Sequence, residues 1–131
     1  MEAGKIIYAL LTADSGVSAI TSGIYGNEAR QGIDFPAVVY TVVSSVPQNS
    51  KSGFNAYISR VQCSCYATTY EGSVALCKAV VAALADKELG TYGGLLTHSI
   101  KLDSTQDFTD DAGIDGAYHI AADFFIHYIN G

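Results

Sequence analysis

Residues 35–43 read Phe-Pro-Ala-Val-Val-Tyr-Thr-Val-Val, and after the proline only Thr41 interrupts the apolar run. A strand with one face in water alternates apolar and polar side chains, because successive residues point to opposite faces. This run does not alternate, so both of its faces need cover. Val38, Tyr40 and Val42 form one set, and Val39, Thr41 and Val43 the other. Pro36 opens the run and Pro47 closes it, positions where the missing N–H is tolerated. A fold built on this strand must give one set a layer of helices and the other a second surface.

Helical spacing supplies the layer. Ala3, Ile6, Ile7, Leu10 and Leu11 fall on one stripe, so a helix is expected over residues 2–13, stopped by Asp14-Ser15-Gly16. A short turn through Val17 and Ile20 leads to Gly23-Ile24-Tyr25-Gly26 and a polar stretch. Residues 44–55, rich in Ser, Asn, Gly and Pro, read as a long loop. The stretch 57–67 then alternates, with Ser59, Val61, Cys63 and Cys65 against Arg60, Gln62 and Ser64, which marks a strand with one buried face. Thr68 and Glu71 have the spacing of a capping box that opens a second helix running to about Asp86, with Val74, Cys77, Val81 and Leu84 as its stripe. Tyr92-Gly93-Gly94 is a turn signal. Leu96, Ile100 and Leu102 alternate with Thr97, Ser99 and Lys101 in a third strand, and the Asp-rich stretch 103–116 reads as a loop or hairpin tip. The segment 117–129 fits either period, but its aromatic and β-branched content favours a strand.

The expected order is helix, strand, strand, helix, strand, strand. That order packs as an α+β domain over residues 1–131, a mainly antiparallel four-stranded sheet with both helices on one face. The opposite face then has no cover from this chain.

The totals narrow the function. A chain of 131 residues can remove roughly two-thirds of its unfolded surface from water, so it needs neither disulfide nor metal to fold. It is 49% apolar and only 15% charged, an excess of apolar surface that suits protein partners. The longest apolar run, residues 79–85, is far below the span of a bilayer, and the N-terminus lacks the pattern of a signal peptide, so a cytosolic protein without a membrane segment is expected. Net charge is −6 and no Lys or Arg follows Lys101, whereas Asp103, Asp107, Asp110, Asp111, Asp115 and Asp123 do. Scattered basic residues of this kind do not grip nucleic acid through phosphates. Cys63, Cys65 and Cys77 read as reduced, buried thiols.

Little points to chemistry. His119, Asp123 and His127 are spaced by four and would converge on one ion if helical, but a strand separates them by roughly 13 Å per step. His98 is alone, and no nucleophile elbow or phosphate-binding glycine loop is present. No catalytic group, metal or cofactor is therefore expected.

Several runs taken in order do point elsewhere. Leu10-Leu11-Thr12-Ala13-Asp14, Ile24-Tyr25-Gly26, Phe35-Pro36-Ala37-Val38-Val39-Tyr40, residues 60–67 leading into the Glu71 helix, and the aromatic close Phe124-Phe125-Ile126-His127-Tyr128 resemble the tail completion, or tail terminator, proteins of long-tailed bacteriophages. The resemblance implies a non-enzymatic virion protein, assembled in the host cytoplasm, six copies of which ring the head-proximal end of the tail tube. Its implied partners are itself, the tail tube protein and the head–tail connector protein, with DNA passing through the ring without specific binding. On this reading Val38, Tyr40 and Val42 are assigned to the subunit interface, and Pro47, Gln48, Asn49, Lys51 and Phe54 to contact with tube or connector. A head-completion or connector protein is the nearest alternative, and a small metal- or ligand-binding domain a more distant one.

Overall fold

The computed structural model describes residues 3–26, 36–48, 56–85, 90–108 and 118–129. In chain order these form α1 (Ala3–Ala13), α2 (Ser15–Ile20), β1 (Gly23–Gly26), β2 (Ala37–Gln48), β3 (Ala56–Ala67), α3 (Tyr70–Leu84), β4 (Gly90–Tyr92), β5 (Leu95–Phe108) and β6 (Tyr118–Ile129). The class is α+β, but the sheet has six strands rather than four, in the order β1-β2-β3-β6-β5-β4. β1 runs parallel to β2, and every other pairing is antiparallel. The four expected strands are the four long ones in the middle. The two added strands are three or four residues long, too short to show a period in sequence.

Local chemistry sets the element ends. Asp14 ends α1 and caps α2, its Oδ1 accepting from Val17 N at 3.0 Å. The cap of α3 is Thr69 rather than Thr68. Its Oγ1 accepts from Gly72 N at 3.0 Å, which leaves Glu71 in the first turn, where a negative charge suits the helix dipole. Gly93 and Gly94, at φ 60° and 81°, form the two-residue turn of the β4–β5 hairpin. A Cβ on Gly93 would lie 2.5 Å from the Lys5 carbonyl oxygen, so this turn is also seated tightly against α1.

Of the stretches expected as loop, 44–48 and 103–108 are strand, whereas 49–55 and 109–116 lie outside the described residues. β2 continues through Ser44, Ser45, Val46, Pro47 and Gln48, which pair with Arg60, Ser59, Ile58, Tyr57 and Ala56. The hydroxyls of Ser45 and Ser59 are 2.6 Å apart and satisfy each other on the inner side, which lets a polar pair sit in the ladder. β5 likewise runs on to Phe108, with register shifts between Thr97 and Ser99 and between Leu102 and Ser104. The first shift reverses the expected alternation. Thr97 is buried and Leu96 is 41% exposed, because an extra residue turns the strand over.

All three helices belong to one core. Ile6, Ile7 and Leu11 of α1, Val17 of α2, and Leu76, Val80 and Leu84 of α3 close over Val38, Val61, Cys63, Cys65, Ile100, Phe124 and Ile126. The alternation of β3 and β6 fixes which side they cover. Val61, Cys63 and Cys65 pair with Phe124, Ala122 and Ile120 on the inner face. Arg60, Gln62, Ser64 and Tyr66 pair with Phe125, Asp123, Ala121 and His119 on the outer face, over which no described helix packs.

Candidate assembly surface

β2 contributes to both faces as its composition requires, and its two sets are now placed. Val38 pairs with Cys65, Tyr40 with Cys63 and Val42 with Val61, so the set expected at a subunit interface is the set beneath the helices. Val38 has no exposed surface, and Tyr40 and Val42 are half-buried against the core. Tyr40 sits close under α1, since a Cβ on Gly4 would lie 3.2 Å from its ring. Tyr8 of α1 lies over it, with ring centroids 6.5 Å apart. Burial, with Tyr8 next in importance, raises the Tyr40 phenol above its ordinary value. The alternate set, Val39 and Thr41, faces outward with Ser64 and Gln62.

On that outer face the charges of distant segments are brought together. Arg60 Nη2 donates to Asp123 Oδ2 at 2.9 Å and lies 3.3 Å from Asp103 Oδ2. Its guanidinium carbon is 5.6 Å from the Phe125 ring centroid, within cation–π range. The hydrogen bond to Asp123, more than the two carboxylate charges, raises the Arg60 pKa and holds it charged. The Asp123 side chain is only 7% exposed, and its Oδ1 has no hydrogen-bond partner among the described residues. At one end of the face Tyr66 and His119 stack with centroids 4.4 Å apart. Desolvation raises the Tyr66 phenol and lowers the His119 imidazole, both toward the neutral form.

β6 is a strand, so His119, Asp123 and His127 are spread along it with separate neighbours. His119 stacks on Tyr66, Asp123 binds Arg60, and His127 pairs in register with Ile58 and Ser99. They are not brought together as one ligand set. The three cysteines are free and buried, Cys63 and Cys65 on the inner face of β3 and Cys77 on α3 above them. Desolvation raises the Cys63 thiol. Contact with Cys77, together with burial, raises the Cys65 thiol well above its ordinary value.

Among the described residues, large exposed apolar side chains occur on both sides of the central strands. Tyr8, Val43 and Val46 lie on α1 and β2, whereas Tyr70, Leu96, Leu102 and Tyr118 lie on α3, β5 and the start of β6. Tyr70 and Tyr118 meet edge to face at 6.3 Å. Beside them, between α3 and β5, an open groove of about 520 Å³ is lined by Val74, Val81, Leu102 and Ile120, with Lys78 also on its wall. The sequence points to this groove through a helix stripe too wide for its core. Val74 and Val81, expected in the stripe, are half-exposed, while Ser73 and Ala83 are buried in their place.

Of the expected contact segment, Pro47 is exposed at the end of β2 and Gln48 is its last residue. Asn49, Lys51 and Phe54 lie outside the described residues, as does Phe35 of the sequence motif, whereas Pro36 is described and half-buried. The Arg60–Asp123 pair was not anticipated. Its signal was a charge of opposite sign on the outer side of each of two strands, 63 residues apart, which only the pairing register unites.

No curated protein matches the sequence. A chain from the structure titled "Virion of native gene transfer agent (GTA) particle" has the same fold at a TM-score of 0.77. It is 13% identical in sequence, and the superposition covers 95% of this chain and 92% of that one. Residues 5–128 match the family described as tail completion protein gp17, and this chain therefore belongs to that family of structural phage tail proteins.

Proposed function

We propose that this protein is a single-domain tail terminator. Several copies, six by the family resemblance, form a ring on the head-proximal end of the tail tube, stop its polymerisation and present a surface to the head–tail connector. The observation that carries the reading is the family match across residues 5–128. The virion particle that contains the structural neighbour agrees with it, and so does the distribution of apolar surface. A ring uses a heterologous contact, so each copy must present two different patches. Among the described residues, exposed apolar side chains occur on β2 and on β5, either side of the central strands.

The segment that includes Pro47, Gln48, Asn49, Lys51 and Phe54 is the proposed contact with tube or connector. The acidic balance suits a channel through which DNA must slide, since attraction to phosphate would retard it. Asp103 and Asp123 are already engaged by Arg60, so that role falls to the remaining C-terminal acids. The test is elongation of purified tube protein in vitro. Substoichiometric amounts of this chain should arrest growth at one end only. Tubes that lengthen as fast with the protein as without it would rule out the terminator and leave the connector role.

A further inference from the structure

Three thiols converge at one place in the core, and one of them reaches its edge. Cys63 and Cys65 leave β3 on the inner face, and Cys77 packs over them from α3. The side chains around this contact are small. Ser73 lies one turn before Cys77 on α3, and Ala67 and Ala122 flank the cysteines on the strands. A Cβ on Gly72 would lie 3.1 Å from the Ala67 Cβ, so the helix starts close against β3. A disulfide spans only about 4.4–6.8 Å between Cα atoms, so a bond from helix to strand needs small neighbours of this kind.

The groove between α3 and β5 reaches the same spot. Among the described residues its wall includes Cys77, Lys78 and Ile120. Ile120 is the register partner of Cys65, so Cys65 sits one strand in from the groove, beneath Cys77. Cys77 keeps 6% of its surface exposed, whereas Cys63 and Cys65 keep none. Burial raises the Cys63 thiol, and contact with Cys77 followed by burial raises Cys65, so neither of these two starts an exchange.

We propose that Cys77 and Cys65 form a redox-sensitive pair: a small dialkyl disulfide entering the groove exchanges with Cys77, and Cys65 then closes an intramolecular bond that ties α3 to β3. The Cys77 thiolate attacks one sulfur of the reagent, forms a mixed disulfide and releases the first alkyl thiolate, which takes up a proton. Cys65 gives up its proton and attacks the Cys77 sulfur, releasing the second alkyl thiol. Two protein thiols are oxidised and one reagent disulfide is reduced to two thiols. Cys63 is the poorer partner for either cysteine. It lies two residues from Cys65 on one strand, roughly 6.5 Å away between Cα atoms, near the upper limit for a bridge. A chain made where thiols are kept reduced meets such disulfides only outside that compartment. The virion setting thus bears on when the bond forms, and the bond itself does not depend on the terminator reading.

The test treats the folded, full-length protein with bis(hydroxyethyl) disulfide, blocks remaining thiols by alkylation, and cleaves after Lys, Arg and Glu. Residues 61–78 hold all three cysteines, and Glu71 alone separates Cys63 and Cys65 from Cys77 there. One bond should join fragment 61–71 to fragment 72–78, and tandem mass spectrometry should place it at Cys65. Cys63→Ala should still close the bond. Cys65→Ala should lose closure and stop at the mixed disulfide on Cys77. Should a variant fail to fold by circular dichroism, the position of the bond in the wild type decides alone. Reaction only after unfolding in denaturant, a bond within fragment 61–71, or closure undiminished in Cys65→Ala would overturn the pair.

Discussion

The two faces of the central strands are made of different material and hold together by different physics. On the inner face, Cys63, Cys65, Ile120, Ala122, Phe124 and Ile126 are closed over by three helices, and burial there is nearly complete. On the outer face, the same strands carry Arg60, Asp123, Phe125, Tyr66 and His119, joined by an ion pair, a cation–π contact and a ring stack. The inner face supplies the stability of the fold through area removed from water. The outer face carries directional polar and aromatic contacts over which no described helix packs.

The sharpest way to break that comparison is Phe124→Ala. Truncating the largest fully buried side chain should cost about 3–5 kcal/mol in chemical denaturation, and a loss near zero would mean the inner face is not the core. Gly93→Ala comes next, at about 2 kcal/mol, because the new Cβ would meet the Lys5 carbonyl at positive φ. Thr69→Ala should cost about 1 kcal/mol through the lost cap of α3, read as a lowered melting temperature.

The outer face should respond to pH instead. Burial lowers the folded His119 pKa below its ordinary value near 6.5, so as pH falls through that value the unfolded chain takes up the proton first. Stability should therefore fall from pH 7 toward pH 5. His119→Phe, which keeps a ring beside Tyr66, should flatten the wild-type slope, and an unchanged slope would exclude His119 as its source. The smallest expected effect is that of Val46→Asp on stability, within about 0.5 kcal/mol in the same denaturation experiment, because the side chain is already exposed.

The inner face was the legible one. The stripe of α1, the alternation of β3 and the Gly-Gly turn follow from periodicity and backbone freedom, which are local properties. The α+β class and the family resemblance followed from the same elements. What was hidden depends on pairing between distant segments. Ser44, Ser45 and Pro47 have the composition of a loop, and only their register with β3 makes them strand. Leu96 alternates on paper with the core residues, yet the irregularity before Ser99 turns it outward. The sets of β2 were visible as sets, but which one met the helices depended on the parity of Cys63 and Cys65 across the ladder. Arg60 found Asp123 by the same register.

Tail length measures the proposed termination of the tail tube most directly. Electron microscopy of lysates from a phage lacking this gene, with and without the protein supplied back, should show overlong headless tubes that return to uniform length on complementation. Tubes of normal length in its absence, whether beside unjoined heads or in intact particles, would contradict the account.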